Sequence, residues 1–248
     1  MLRSYAITDI GLKRPINQDY IYASDMAVGN LPDVYIVADG MGGHNGGDTA
    51  SKATVETIVR EIGHSSEKNP VLILDGAIGS ANAFIRERAD QDENLKGMGT
   101  TVVAATCIGS SLHVANVGDS RLYVVGDSIS QITVDHSFVE EMIKRGGIDR
   151  NAARNHPDKN IITRAVGACR TVDADFFHVE LQPGDVVLLC TDGLTNMVED
   201  DTIKHILKSR GSVREKAERL ISEANRNGGR DNISVIVLDP FADEVEHD

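Results

Sequence analysis

The sequence predicts an α+β protein in which mostly antiparallel sheets are covered by helices. Three observations carry this. Short β-like runs recur along the whole chain, tight Gly/Asp/Ser turns separate several of them, and helical repeats fall in pairs between groups of strands. In order, the strand-like runs are SYAIT near the start, VYIVAD at 34–39, TTVVAAT at 100–106, SLHVANV at 111–117, RLYVV at 121–125, ADFFHVEL at 174–181, DVVLLCT at 185–191 and NISVIVL at 232–238. The turns CIGSSL and NVGDSR read as hairpins rather than as crossovers.

The first helix shows in Val55, Ile58, Val59 and Ile62, which keep the i, i+3, i+4, i+7 rhythm, and the second in Leu74, Ala77, Ile78, Ala81 and Ile85. Near the end, Ser212 and Glu215 form a capping box ahead of Val213, Ala217, Leu220, Ile221 and Ala224. Residues 136–165 are polar and weakly periodic and read as a mobile surface excursion, and 241–248 as an acidic, frayed tail. With no linker or repeat, residues 1–240 are expected to form a single domain.

The chain has 248 residues and a formal net charge of −13, which argues against nucleic acid or an anionic membrane as main partner. No apolar run reaches membrane-spanning length and the N-terminus lacks a signal-peptide core, so the expected location is the cytoplasm. Cys107, Cys169 and Cys190 are few and far apart and read as free thiols.

Four aspartates stand next to apolar strands and beside, or one residue removed from, a glycine: Asp39 in VYIVADG, Asp119 in VANVGDS, Asp192 in VVLLCTDG and Asp231 in GGRDN. Taken singly, each is most simply a solvated turn residue. Together, at one edge of packed sheets, they would repel one another unless a multivalent cation joined them, and an oxygen-only set suits Mg2+ or Mn2+ better than zinc. The stretch VYIVADGMGGHNGGDTA looks like a dinucleotide loop, but its third glycine position is Asn45 and Asp39 would face a pyrophosphate with like charge. No Walker A sequence is present. Arg14, alone a surface charge, would beside a metal cluster be a bidentate phosphate clamp.

In this order, GLKRPINQD, VADGMGGHNGG, GTTVVAA, ANVGDSRLYV, DHS, ITRAVG, LLCTDGLTNMV and GGRDNISVIVL resemble the signature blocks of metal-dependent Ser/Thr protein phosphatases of type 2C, bacterial branch, across residues 11–238. The resemblance implies a four-layer α-β-β-α sandwich of two mostly antiparallel sheets flanked by helix pairs, with a flap at 136–165. It implies hydrolysis of phosphoserine or phosphothreonine by water activated between two ions, opposing Ser/Thr kinases, by a monomer. It also assigns roles. Asp39 bridges two ions, the Gly40 carbonyl binds one of them, and Asp192 and Asp231 bind the second. Asp19 holds a metal-bound water, Asp119 joins Asp192 at a weaker third ion, and Arg14 binds the substrate phosphate. Met41 stands where other branches place a histidine proposed as general acid, which leaves His44 or a water for that task. A phosphoesterase for small molecules and an inactive binding scaffold are the alternatives.

Overall fold

The computed structural model describes residues 3–42 and 46–242, without the side chain of Asn151; His44 and residues 243–248 of the acidic tail lie outside them. Two sheets stack face to face. The five-stranded sheet runs in the order β1 (Ser4–Asp9), β11 (Ile233–Leu238), β10 (Val186–Cys190), β7 (Arg121–Val125), β8 (Ile129–Gln131). The other has the path β2 (Asp19–Ser24), β3 (Val34–Met41), β5 (Val102–Ile108), β6 (Ser111–Val117), β9 (Asp175–Glu180), and the short β4 (Gly99–Thr100) pairs with β3. Every pairing of these strands is antiparallel.

The central strands read as continuous apolar runs because both of their faces are buried. Along β3, Tyr35 and Val37 point into the layer between the sheets, where they meet Leu122, Val187, Leu189 and Ile236. Val34, Ile36 and Ala38, on the opposite face, pack beneath α1 (Gly47–His64) and α2 (Pro70–Gln91). On the far side, α6 (Asp200–Lys208) and α7 (Val213–Arg226) bury Ile203, Ile206, Leu207, Ala217, Leu220 and Ala224 against Val186, Leu188, Val235 and Val237. The order of layers is therefore α-β-β-α. No helix among the described residues is long and apolar enough to cross a membrane.

The Ser212–Glu215 capping box is formed in both directions. Ser212→Ala is expected to cost about 1 kcal/mol of unfolding free energy, read from the urea midpoint.

One sequence expectation needs correction. NVGDSR does not close a hairpin: β6 lies in the six-stranded sheet and β7 in the five-stranded one, so the turn at Gly118-Asp119 carries the chain between layers. Gly118 has φ +106° and a Cβ there would strike Thr101, so the turn is tight in either case; turn chemistry reports a reversal, not the sheet that receives the next strand. Residues 136–165 hold α3 (Phe138–Lys144) and α4 (Arg150–Arg154), each too short to leave a periodic signal. Their two roots are tied by the Phe138 N–H to Ile161 carbonyl and Thr163 N–H to His136 carbonyl bonds, 2.9 and 2.8 Å. Gly40, whose carbonyl the resemblance makes a ligand, sits in no turn. It continues β3 without a positive φ, and it is glycine because a Cβ would collide with the carbonyl oxygens of Gly47 and Gln18.

Candidate active site

Antiparallel pairing sets the start of one strand beside the end of its neighbour, and at one edge of the sandwich this gathers the acidic residues. Asp19 opens β2 directly opposite Asp39 of β3. Asp192 follows β10 and opens the short helix α5 (Asp192–Thr195), and Asp231 stands two residues before β11, the partner of β10. Asp119 arrives on the turn that crosses between the layers. The carboxyl group of Asp39 is pushed well above the ordinary carboxylate range, first by burial and then by the charges of Asp19, Asp192, Asp119 and Asp231, so all five predicted aspartates share one field.

Backbone and hydroxyl groups hold this edge. The Asp39 N–H donates to the Thr101 hydroxyl at 2.9 Å, and its carbonyl accepts from the Thr101 N–H and the Thr100 hydroxyl at 2.9 and 2.8 Å. Asp19 Oδ2 accepts from the hydroxyls of Thr191 and Ser234 at 2.9 and 2.7 Å. Asp192 Oδ2 accepts from Asn196 Nδ2 at 2.8 Å, and Lys159 Nζ from the flap donates to Asn196 Oδ1 at 3.0 Å. The amide of Asn232 closes the loop that carries Arg14: Nδ2 donates to the carbonyls of Ile10 and Ile16, both at 3.0 Å, while Oδ1 accepts the Gln18 N–H at 2.8 Å.

Two oxygens stand out. Asp19 Oδ1 and Asp192 Oδ1 are buried and have no hydrogen-bond partner. Burial pushes the Asp19 carboxyl up to about 7, with its two hydroxyl bonds opposing and Asp192 and Asp231 adding. It pushes Asp192 to about 6, with Asp231 adding and Arg121 opposing. Burial and Asp192 likewise raise Asp119 well above its ordinary value. Buried acceptors without donors, in a field that repels further negative charge, fit a cation that completes them. Among the described residues no three His, Cys, Asp or Glu groups close on a single point as a ready-made shell.

Arg14 lies at the site but faces an unexpected partner. Its Nη2 donates to Asp231 Oδ2 at 2.7 Å, with both side chains partly exposed. Asp231 Oδ1 accepts from the N–H of Asn232 at 2.9 Å, so both of its oxygens are engaged. A cleft of about 320 Å³ opens beside the cluster, with Asp119 and Asp192 at one side and the flap residues Arg150, Arg154 and Lys159 at the other. Arg154 ties the flap to the body through the carbonyls of Thr195 and Val198, at 3.1 and 3.3 Å. Sequence reasoning missed Thr101, Thr191, Ser234, Asn196 and Asn232; each lies inside a quoted motif, but only the fold brings its polar group to the cluster.

The family model described as Protein phosphatase 2C matches residues 13–230. The serine/threonine phosphatase stp of Listeria innocua is 43% identical over 215 residues, 83% of this chain and 84% of that protein. The crystal structure of the serine/threonine phosphatase Stp1 from Staphylococcus aureus superposes with a TM-score of 0.90 at 34% identity, covering 96% of this chain and 95% of that one. The catalytic domain of serine threonine protein phosphatase PstP, solved in complex with two manganese ions, aligns with a TM-score of 0.84 at 34% identity over 96% and 97%.

Proposed function

The chain belongs to the protein phosphatase 2C family and is a serine/threonine protein phosphatase, and we propose that four of its five clustered carboxylates, Asp39, Asp119, Asp192 and Asp231, hold the divalent cations of the reaction while the fifth, Asp19, positions a water. The observation that carries this assignment is the pair of buried, unpartnered oxygens, Asp19 Oδ1 and Asp192 Oδ1, inside the acidic cluster. Asp39, the Gly40 carbonyl, Asp192 and Asp231 hold two Mn2+ or Mg2+ ions, and Asp119 with Asp192 holds a weaker third. When bound, these ions supply a water of lowered pKa and positive charge for the phosphoryl oxygens.

The chain's own residues then divide the remaining work. Asp19, fixed by Thr191 and Ser234, orients a water through Oδ1. Arg14 is held in place by the Asn232-closed loop, pairs here with Asp231, and would turn its guanidinium to the substrate phosphate once Asp231 served as a ligand. On this proposal the enzyme works as a cytoplasmic monomer opposite a Ser/Thr kinase, with residues 1–240 as one catalytic domain and 136–165 as a flap that tunes substrate choice. The test is hydrolysis of phosphoserine peptides and of nucleotides with chelator and with added Mn2+. Metal-dependent turnover of the peptides alone supports the assignment, and preferential turnover of nucleotides contradicts it.

Arg14→Ala should cost on the order of 1.5–3 kcal/mol of transition-state stabilisation, as for loss of a charge-assisted bond. The loss should appear in KM for phosphopeptide. Metal affinity at Asp231 should hold or tighten, because the competing guanidinium is gone; weaker metal binding with normal KM would make Arg14 part of the metal site instead.

A further inference from the structure

The Asp135-His136-Ser137 stretch has no task in that scheme, yet His136 is only 5% exposed and stands where the flap leaves the body. Its ring is used at both nitrogens. Nδ1 accepts the Gly118 N–H at 3.0 Å, and Nε2 lies 3.1 Å from both Asp175 Oδ2 and Arg164 Nη1. An imidazole that accepts at Nδ1 carries its hydrogen on Nε2, so the ring is neutral and donates to Asp175. Burial, which holds its pKa below the ordinary value, works in the same direction. Asp175 Oδ1 is held in turn by Arg164 Nη1 at 2.7 Å.

The main chain repeats the link. The His136 N–H donates to the Gly118 carbonyl at 2.9 Å, and its own carbonyl accepts from Thr163 at the far root of the flap. Gly118 has no side chain with which to brace the turn, and a Cβ there would strike Thr101. The residue just ahead of Asp119 is thus held by His136 at both its N–H and its carbonyl.

We infer that His136 is a positioning residue that aims the Asp119 carboxylate by holding Gly118, and so couples the flap root to the weakest cation position. This rests on the assignment of Asp119 to a third ion proposed above. His136 touches neither substrate nor metal and acts only through the turn.

Full-length His136→Ala, His136→Asn and His136→Gln, with Asp119→Ala and the double variant, test it. The Asn amide oxygen falls near the place of Nδ1 and keeps an acceptor for Gly118, whereas Gln reaches only the place of Nε2. In chelated protein, hydrogen exchange at the Gly118 amide should quicken in the Ala and Gln variants and stay slow in Asn. In a calorimetric Mn2+ titration, Ala and Gln should weaken the weakest ion on the order of tenfold, the scale for loss of an outer-sphere partner, and leave the tight ions unchanged. In the Asp119→Ala background, His136→Ala should cause no further fall in turnover. Independent, multiplying effects, loss of the tight ions, or a defective Asn beside a normal Gln would each overturn the inference. If Ala does not fold, the Asn and Gln pair still decides. Asp119→Ala with unaltered ion binding and rates would remove the third ion and this inference with it, leaving the two-ion assignment intact.

Discussion

Asp39→Asn is expected to fold and to lose turnover of phosphopeptide by a thousandfold or more, on the order expected when a catalytic ion loses several kcal/mol of its contribution. The size follows from position. Asp39 feels all four other carboxylates, and its backbone is fixed on both sides by Thr100 and Thr101. An amide there cannot carry the charge that would bridge two cations. The same substitution should raise the melting temperature of chelated protein. In the wild type, burial and four like charges oppose ionisation of this group, and the neutral amide removes that cost while conserving shape. A structural role for Asp39 would produce the opposite pattern, a lower melting temperature with activity in proportion to the folded fraction.

Removing the ions from wild-type protein is expected to abolish turnover, and the ease of restoring it should depend on pH. The Asp19 and Asp192 carboxyls are raised to about 7 and about 6, above the ordinary value near 3.9 that they have in the unfolded chain. Between the unfolded and folded values the native state binds more protons, so their contribution to metal-free stability is fully present below about pH 4 and is lost as pH rises through about 6 to about 7. Those protons must leave when cations enter. Apparent Mn2+ affinity should therefore tighten as pH rises across that window. Calorimetry in buffers of different ionisation enthalpy should count more protons released near pH 6 than near pH 8, because Asp19 and Asp192 give theirs up between the two. Affinity that is flat with pH would mean that these carboxyls are not displaced from their protons by metal.

How much of this was legible in the sequence depended on contrast. Asp39, Asp119 and Asp192 were visible because each interrupts or follows a run that is otherwise apolar, and α7 because five buried residues repeat behind a capping box. β2 was missed because DYIYAS lies on the sheet edge with only its first residue fully buried, so it has neither a continuous apolar run nor a clean alternation. β8 has three residues and α6 nine, too few to show a period. The Arg14–Asp231 pair joins residues 217 apart, and no local pattern announces it. Thr191 and Ser234 look like ordinary strand residues until pairing brings both hydroxyls onto Asp19.

The central claim is that the aspartate cluster is a two-ion centre and that phosphopeptide hydrolysis belongs to it. Ions bound per chain, counted at equilibrium during an Mn2+ titration while phosphopeptide turnover is recorded on the same samples, tests it most directly. Turnover should stay near zero until the second tight ion binds, rise with its occupancy, and be absent in Asp39→Asn at any Mn2+ concentration. Full turnover with fewer than one ion per chain would contradict it.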